Sequence, residues 1–160
     1  MGHQQHYKRS FIGKYADDLG QLISTQIKPV YTAMGITVPV KSCSLVHTLA
    51  HLKQASLVEL AQHLNQSHQL VKQKIPRLLE LDILSQSQDP NDKRRTLYQL
   101  TAAGQQQAAI LNQDPMANIY QQLSEEVGFD IQHVLTRAID QLQHKDLLTR
   151  YTEHNTKNTK

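Results

Sequence analysis

The chain has 160 residues, a formal net charge of +3, one cysteine and no tryptophan. Its length suits one domain, or a domain with an added association region, and a single cysteine excludes an internal disulfide. No apolar run reaches the ~18–20 residues of a membrane span and no basic-then-apolar leader opens the chain, so a cytoplasmic protein is expected. Met1-Gly2 hints at myristoylation, but His6 stands where that signal needs Ser or Thr.

From about residue 7 to 34, Phe11, Tyr15, Leu19, Leu22, Ile23, Ile27, Val30, Tyr31 and Met34 recur at helical spacing. Pro29 is expected to kink this helix. The stripe is too wide for one small domain to bury alone. A second helix is expected around Cys43, His47 and His51. Ser56-Leu57-Val58-Glu59 fits a capping box, in which the hydroxyl and carboxylate satisfy each other's backbone amides. The helix it starts runs to about Leu64, with Leu57, Leu60, Ala61 and Leu64 facing inward. Asn65-Gln66 suits a tight turn, and Ser67 suits an N-cap. The next helix offers Leu70 or Val71, Ile75, Leu78, Leu79 and Leu81 to a core. Its polar face carries His68, Gln69, Lys72, Gln73 and Arg77. Pro76 falls inside it and predicts a kink or early break.

A strand is expected over residues 83–87 and a return strand over 96–100. Between them Asp89-Pro90-Asn91-Asp92-Lys93-Arg94-Arg95 is a turn with three adjacent cations at its tip. Thr101 then caps a new helix. Residues 102–127 and 131–151 read as two apolar-striped helices, the first bent at Asp114-Pro115 and separated from the second at Gly128-Phe129-Asp130. In the second, Ile131, Val134, Leu135, Ala138, Ile139, Leu142, Leu147 and Leu148 form the expected buried face. A flexible tail is expected over residues 153–160. The fold class is therefore mainly α with a small β-hairpin. Residues 1–40 are expected to form a dimerisation helix and connection, 41–104 a winged helix-turn-helix, and 105–152 further dimerisation helices. Residues 1–56 hold six Lys/Arg against two Asp, whereas residues 101–160 hold five against seven acids. A basic first part and an acidic last part fit nucleic-acid binding at one end.

The chain resembles the MarR family of winged-helix transcription regulators. Ser56 with Glu59-Leu60-Ala61, then Ser67, Val71, Ile75, Leu78 and Ile83-Leu84, carry the likeness. Asp89-Pro90-x-Asp92-x-Arg94-Arg95, followed by Leu100-Thr101-x-x-Gly104, is its most distinctive part. Gly35-Ile36-Thr37-x-Pro39 matches the connection between the first two helices, so the likeness spans about residues 10–150. It implies a homodimer whose outer helices intertwine, binding double-stranded DNA at a pseudo-palindromic operator as a repressor. It implies that Arg94 enters a minor groove with Asp92 orienting it, where narrow A·T grooves attract arginine. Ser67, His68, Gln69, Lys72 and Gln73 would read base edges. Lys74, Arg77, Lys93 and Arg95 would hold phosphates. It also implies a small aromatic effector, with Tyr31, Met34, Val38, Cys43 and His47 near its pocket. One departure is Asp82, where the family usually has a helix-ending Gly.

Other classes have less behind them. No G-x-S-x-G, phosphate-cradling glycine loop, H-E-x-x-H or C-x-x-C occurs, so no enzyme and no cofactor are expected. Cys43, His47 and His51 lie at i, i+4, i+8 on one face, but span ~12 Å of helix, too far for one ion; no metal is expected. The alternatives are a metal- or redox-responsive regulator and a winged-helix protein-interaction module.

Overall fold

The computed structural model describes residues 8–113 and 116–158. The expectations for Gly2 and His6, for a helix start near residue 7, and for a bend at Asp114-Pro115 lie outside the described residues. The chain divides into two compact units, with the boundary between residues 114 and 115.

In the first unit, α1 (Ile12–Ala33) follows a short 3-10 turn. Pro29 sits inside α1 without ending it. A proline deletes one helical hydrogen bond, and the turns on either side carry the helix through. The end of α1 is set by Gly35 at φ 71°. There the Ile36 amide donates to the Tyr31 carbonyl at 2.8 Å and the Gly35 amide to the Thr32 carbonyl at 3.1 Å, a paired helix-ending motif. The Gln107 side chain holds the connection that follows, accepting from the Thr37 amide at 2.7 Å and donating to the Gly35 carbonyl at 3.0 Å.

After a second 3-10 turn at Val40–Ser42, this unit holds α2 (Cys43–Leu52), β1 (Gln54–Ser56), α3 (Leu57–Leu64), α4 (His68–Glu80), β2 (Leu84–Gln88), β3 (Thr96–Leu100) and α5 (Ala102–Asn112). The sheet is antiparallel in the order β1-β3-β2. Leu84 pairs with Leu100 and Gln88 with Thr96, while Ala55 pairs with Tyr98. β1 was not predicted; three residues are too few for alternation to register. Leu45, Val46, Leu49, Leu60, Val71, Leu78 and Ile83 are fully buried and form the centre of one core. That core joins α2, α3, α4 and the sheet, so packing at its centre sets the angle between α4 and the hairpin.

Of the kink or early break expected at Pro76, the break does not occur: α4 runs through it. Pro76 is exposed, whereas Val71, Ile75 and Leu78 are buried on the opposite face. The missing hydrogen bond thus falls on the solvent side, and burial holds the helix on both sides of it. Asp82 takes the left-handed conformation that the family's glycine would, with φ 55°. The Ile83 amide donates to the Leu78 carbonyl at 2.9 Å and the Asp82 amide to the Leu79 carbonyl at 3.0 Å. An aspartate tolerates this backbone better than most side chains, so the departure from glycine leaves the helix-ending motif intact.

In the second unit, α6 (Ala117–Val127) ends at Gly128. The expected helix over residues 131–151 is two helices, α7 (Ile131–His144) and α8 (Leu147–Asn158). Lys145 is extended, and the Asp146 carboxylate accepts from the Thr149 amide at 2.7 Å, capping α8. An Asp three residues before Thr149 is a helix-start signal that the apolar stripe masked. α8 also runs through residue 153, where a flexible tail was expected. Lys145 pairs with Glu153, and the Thr152 and Thr156 hydroxyls bond the preceding turn. The expected buried face of α7 and α8 is largely exposed in the single chain: Val134, Leu135, Ile139, Leu142, Leu147 and Leu148 all face solvent. No helix among the described residues is long and apolar enough to cross a membrane.

Candidate nucleic-acid interface

The site is built on α3, α4 and the hairpin tip. Ser56 starts α3 through a full capping box: the Glu59 amide donates to Ser56 Oγ at 3.4 Å and the Ser56 amide to Glu59 Oε2 at 2.7 Å. Asn65 turns the chain at φ 50°. Ser67 Oγ then accepts from the Leu70 amide at 3.3 Å, fixing the first turn of α4. Thirteen residues at 1.5 Å each make α4 about 20 Å long. His68, Gln69, Lys72, Gln73 and Arg77 are all exposed along it.

Arg77 pairs with Glu80 on the helix surface at 2.7 Å, a contact that a phosphate can displace at little cost. Lys74 sits deeper and donates to Gln66 Oε1 at 2.7 Å, tying α4 to the turn before it. Desolvation, then the charge of Lys41, lowers its pKa. Lys41 is not among the residues that the sequence alone points to. It lies outside the helix-turn-helix in sequence, and only folding brings it to Lys74.

The hairpin tip is heavily hydrogen-bonded. The Asp89 amide donates to the Arg95 carbonyl at 3.0 Å, the Arg95 amide to the Asp92 carbonyl at 2.8 Å, and the Asn91 amide to Asp89 Oδ1 at 2.8 Å. Asp92 Oδ1 accepts from the Arg94 amide at 3.0 Å and from Arg94 Nε at 3.2 Å, and Oδ2 accepts from the guanidinium at 3.4 Å. These bonds hold the Asp92 carboxyl below the usual carboxylate range. The Arg94 side chain is nonetheless 91% exposed. An oriented, projecting guanidinium is therefore presented at the tip, beside exposed Lys93.

Arg95 goes the other way. Its guanidinium lies 3.2 Å from Glu59 Oε2, 3.3 Å from Ser56 Oγ and 3.6 Å from the buried Asp89 carboxylate. The residue expected to hold a phosphate thus also brackets the hairpin against the start of α3. Arg95→Ala should leave the Asp89 carboxylate without its cation and lower stability by about 1–2 kcal/mol, seen as a Tm loss of several degrees. Hydrogen bonds from Ser56, and then the Arg95 charge, hold the Glu59 carboxyl low. A carboxylate with a depressed folded pKa stabilises fully above its unfolded pKa, and that contribution vanishes as pH falls through the folded value. Between pH 6 and about 3.5, Tm should fall further in wild type than in Glu59→Gln.

Of the proposed pocket residues, Val38 is in the core, while Tyr31, Met34 and Cys43 pack partly buried against it. His47 is exposed, its Nδ1 2.8 Å from Asn112 Oδ1 and its Nε2 3.2 Å from that of His51. No group of three His, Cys, Asp or Glu among the described residues is placed to hold a metal ion. Burial pushes the Cys43 thiol up, against a hydrogen bond from Tyr31. At pH 7.5 Cys43 should therefore react with a thiol reagent clearly more slowly than glutathione does, since only the thiolate attacks.

The family model of a winged helix DNA-binding domain matches residues 41–104. Those residues hold the capped helix pair and the hairpin with its projecting arginine. Residues 41–104 are thus similar to a winged helix DNA-binding domain. Solved structures extend the likeness to most of the chain. A probable transcriptional regulator from Pseudomonas aeruginosa is 19% identical, at TM-score 0.65, over 82% of this chain and 96% of its own. A mutant MarR from E. coli complexed with operator DNA is 19% identical, at TM-score 0.62, over 85% and 93%. NadR in complex with 4-hydroxyphenylacetate is 20% identical, at TM-score 0.57, over 89% and 97%. The winged-helix chain thus has the MarR fold. No curated protein matches its sequence.

Proposed function

We propose that the chain is a sequence-specific, double-stranded DNA-binding transcription regulator that works as a homodimer and represses by covering a promoter. The observation that carries this reading is the Arg94 guanidinium, held by Asp92 yet 91% exposed at the tip of a hydrogen-bonded hairpin. A solvated surface arginine has no need of such orientation; an arginine that enters a minor groove does. The polar face of α4, started by the Ser67 cap, supplies the matching major-groove reader. Ser67, His68, Gln69, Lys72 and Gln73 read bases, while Lys41, Lys74, Arg77 and Lys93 neutralise phosphates. Arg95 acts through the hairpin it braces.

The exposed apolar side chains support the dimer. Phe11, Ile12, Tyr15 and Leu22 near the start of the chain, and Val134, Leu135, Ile139 and Leu142 on α7, face solvent. Exposed apolar surface on this scale marks a protein partner, and a second copy supplies the self-complementary face that a two-fold axis requires. A cytoplasmic location and a small aromatic effector complete the reading; the structural relative NadR was solved with 4-hydroxyphenylacetate.

Selection from randomised duplex DNA tests it. The expected winner is a pseudo-palindrome with half-site centres about one turn (~34 Å) apart. Enrichment of no duplex, alongside capture of a protein partner by the hairpin face, would replace the reading with a protein-interaction module.

A further inference from the structure

Residues 70 and 71 are adjacent and apolar, so a single amphipathic helix can bury only one of them. Val71 is fully buried, and Leu70 is 51% exposed. Helical phase explains the choice. Val71, Ile75 and Leu78 form the buried stripe, while Leu70, Gln73 and Arg77 lie at i, i+3, i+7 on the outward side. The Leu70 amide is bonded to Ser67 Oγ, so this side chain projects from the capped first turn of α4. The N-terminal turns of such a helix are the part that meets base edges.

A leucine among Gln69, Lys72 and Gln73 brings no hydrogen-bonding group. The apolar feature a major groove offers it is the C5-methyl group of thymine. We propose that Leu70 is a specificity-determining residue that recognises a 5-methylpyrimidine in each operator half-site. This rests on the DNA-binding reading above and deepens it: Gln69 and Gln73 suit the hydrogen-bonding edge of adenine, and Leu70 adds a contact with a thymine methyl group beside it.

Replacing thymine by uracil removes the methyl group and leaves base pairing intact. In the duplex recovered by selection, each thymine is changed to uracil in turn, and binding of the full chain is measured for wild type and Leu70→Ala. At one thymine per half-site, uracil should weaken wild type about fourfold, the factor expected for one methyl-sized apolar group. Substitution in both half-sites should cost about sixteenfold. Leu70→Ala should bind the thymine duplex more weakly and be indifferent to uracil there, which is the coupling a double-mutant cycle detects. Leu70 is largely exposed, so an unchanged Tm certifies that the variant is folded. If wild type and Leu70→Ala respond alike to uracil at every thymine, the proposal is overturned while DNA binding stands. If selection enriches no duplex, the DNA-binding reading itself fails and takes this proposal with it.

Discussion

Arg94→Ala should weaken binding to the selected operator by about 10- to 100-fold while leaving Tm within about a degree of wild type. The size follows from losing one charge-assisted groove contact, worth roughly 1.5–3 kcal/mol. The unchanged Tm follows from exposure: the Arg94 side chain is 91% exposed and its guanidinium bonds Asp92, so removing it uncovers no core. Titration of labelled duplex, with thermal melting alongside, reads both quantities. Arg95→Ala should give the other pattern, a clear Tm loss with a smaller loss of affinity, because Arg95 is spent on Glu59 and Asp89. Two adjacent arginines in one turn would then separate by role. If Arg94→Ala binds as tightly as wild type, the hairpin tip is a solvated loop and not a DNA wing.

Gly104→Ala should destabilise the first unit by about 3 kcal/mol or more, a Tm loss on the order of 10 °C. A Cβ built at Gly104 would lie 2.1 Å from the Ile83 carbonyl oxygen, 3.0 Å from its carbon and 3.3 Å from Leu100 Cβ. None of these atoms can rotate away. The close approach is made by the start of α5, where the Thr101 amide donates to the Ile83 carbonyl at 3.1 Å and Thr101 Oγ1 accepts from the Gly104 amide at 2.9 Å. The Thr-x-x-Gly spacing is thus a cap and a clearance in one device: threonine caps the helix and glycine lets it sit on the strand. Gly20 is the control. It lies on the exposed side of α1 with nothing within 4 Å of a built Cβ, so Gly20→Ala should raise stability by about 0.5–1 kcal/mol. A Gly104→Ala protein that melts with wild type would show that α5 can move off Ile83.

What was legible in the sequence was what local chemistry decides. Ser56, Ser67 and Thr101 announce three helix starts, and each accepts the expected backbone amide. Thr96–Leu100 is the strand its pattern predicts. The orientation of Arg94 by Asp92, implied by the family pattern, matches three hydrogen bonds two residues apart in sequence. The misses need information from distant residues. Pro76 carries strong helix-breaking propensity, and burial of Val71, Ile75 and Leu78 overrides it. The contact of Arg95 with Glu59, 36 residues away, is invisible in its neighbours. Lys41 becomes part of the cationic face only through its nearness to Lys74. Leu70 and Val71 are interchangeable by composition and are separated only by the phase of α4. The break between α7 and α8 was hidden because an apolar stripe at helical spacing continues across Lys145-Asp146, which the Asp146 cap interrupts.

The proposed function requires that α4 and the hairpin tip form a cationic, base-reading face for duplex DNA. The most direct test is the affinity of the full chain for the selected duplex and for a scrambled one at about 50 and 200 mM salt. With Lys41, Lys74, Arg77 and Lys93 from each of two copies near phosphates, affinity should fall about a thousandfold or more between the two, by counterion release. The selected duplex should stay preferred at both. Binding that ignores salt, or that never distinguishes the two duplexes, would contradict it.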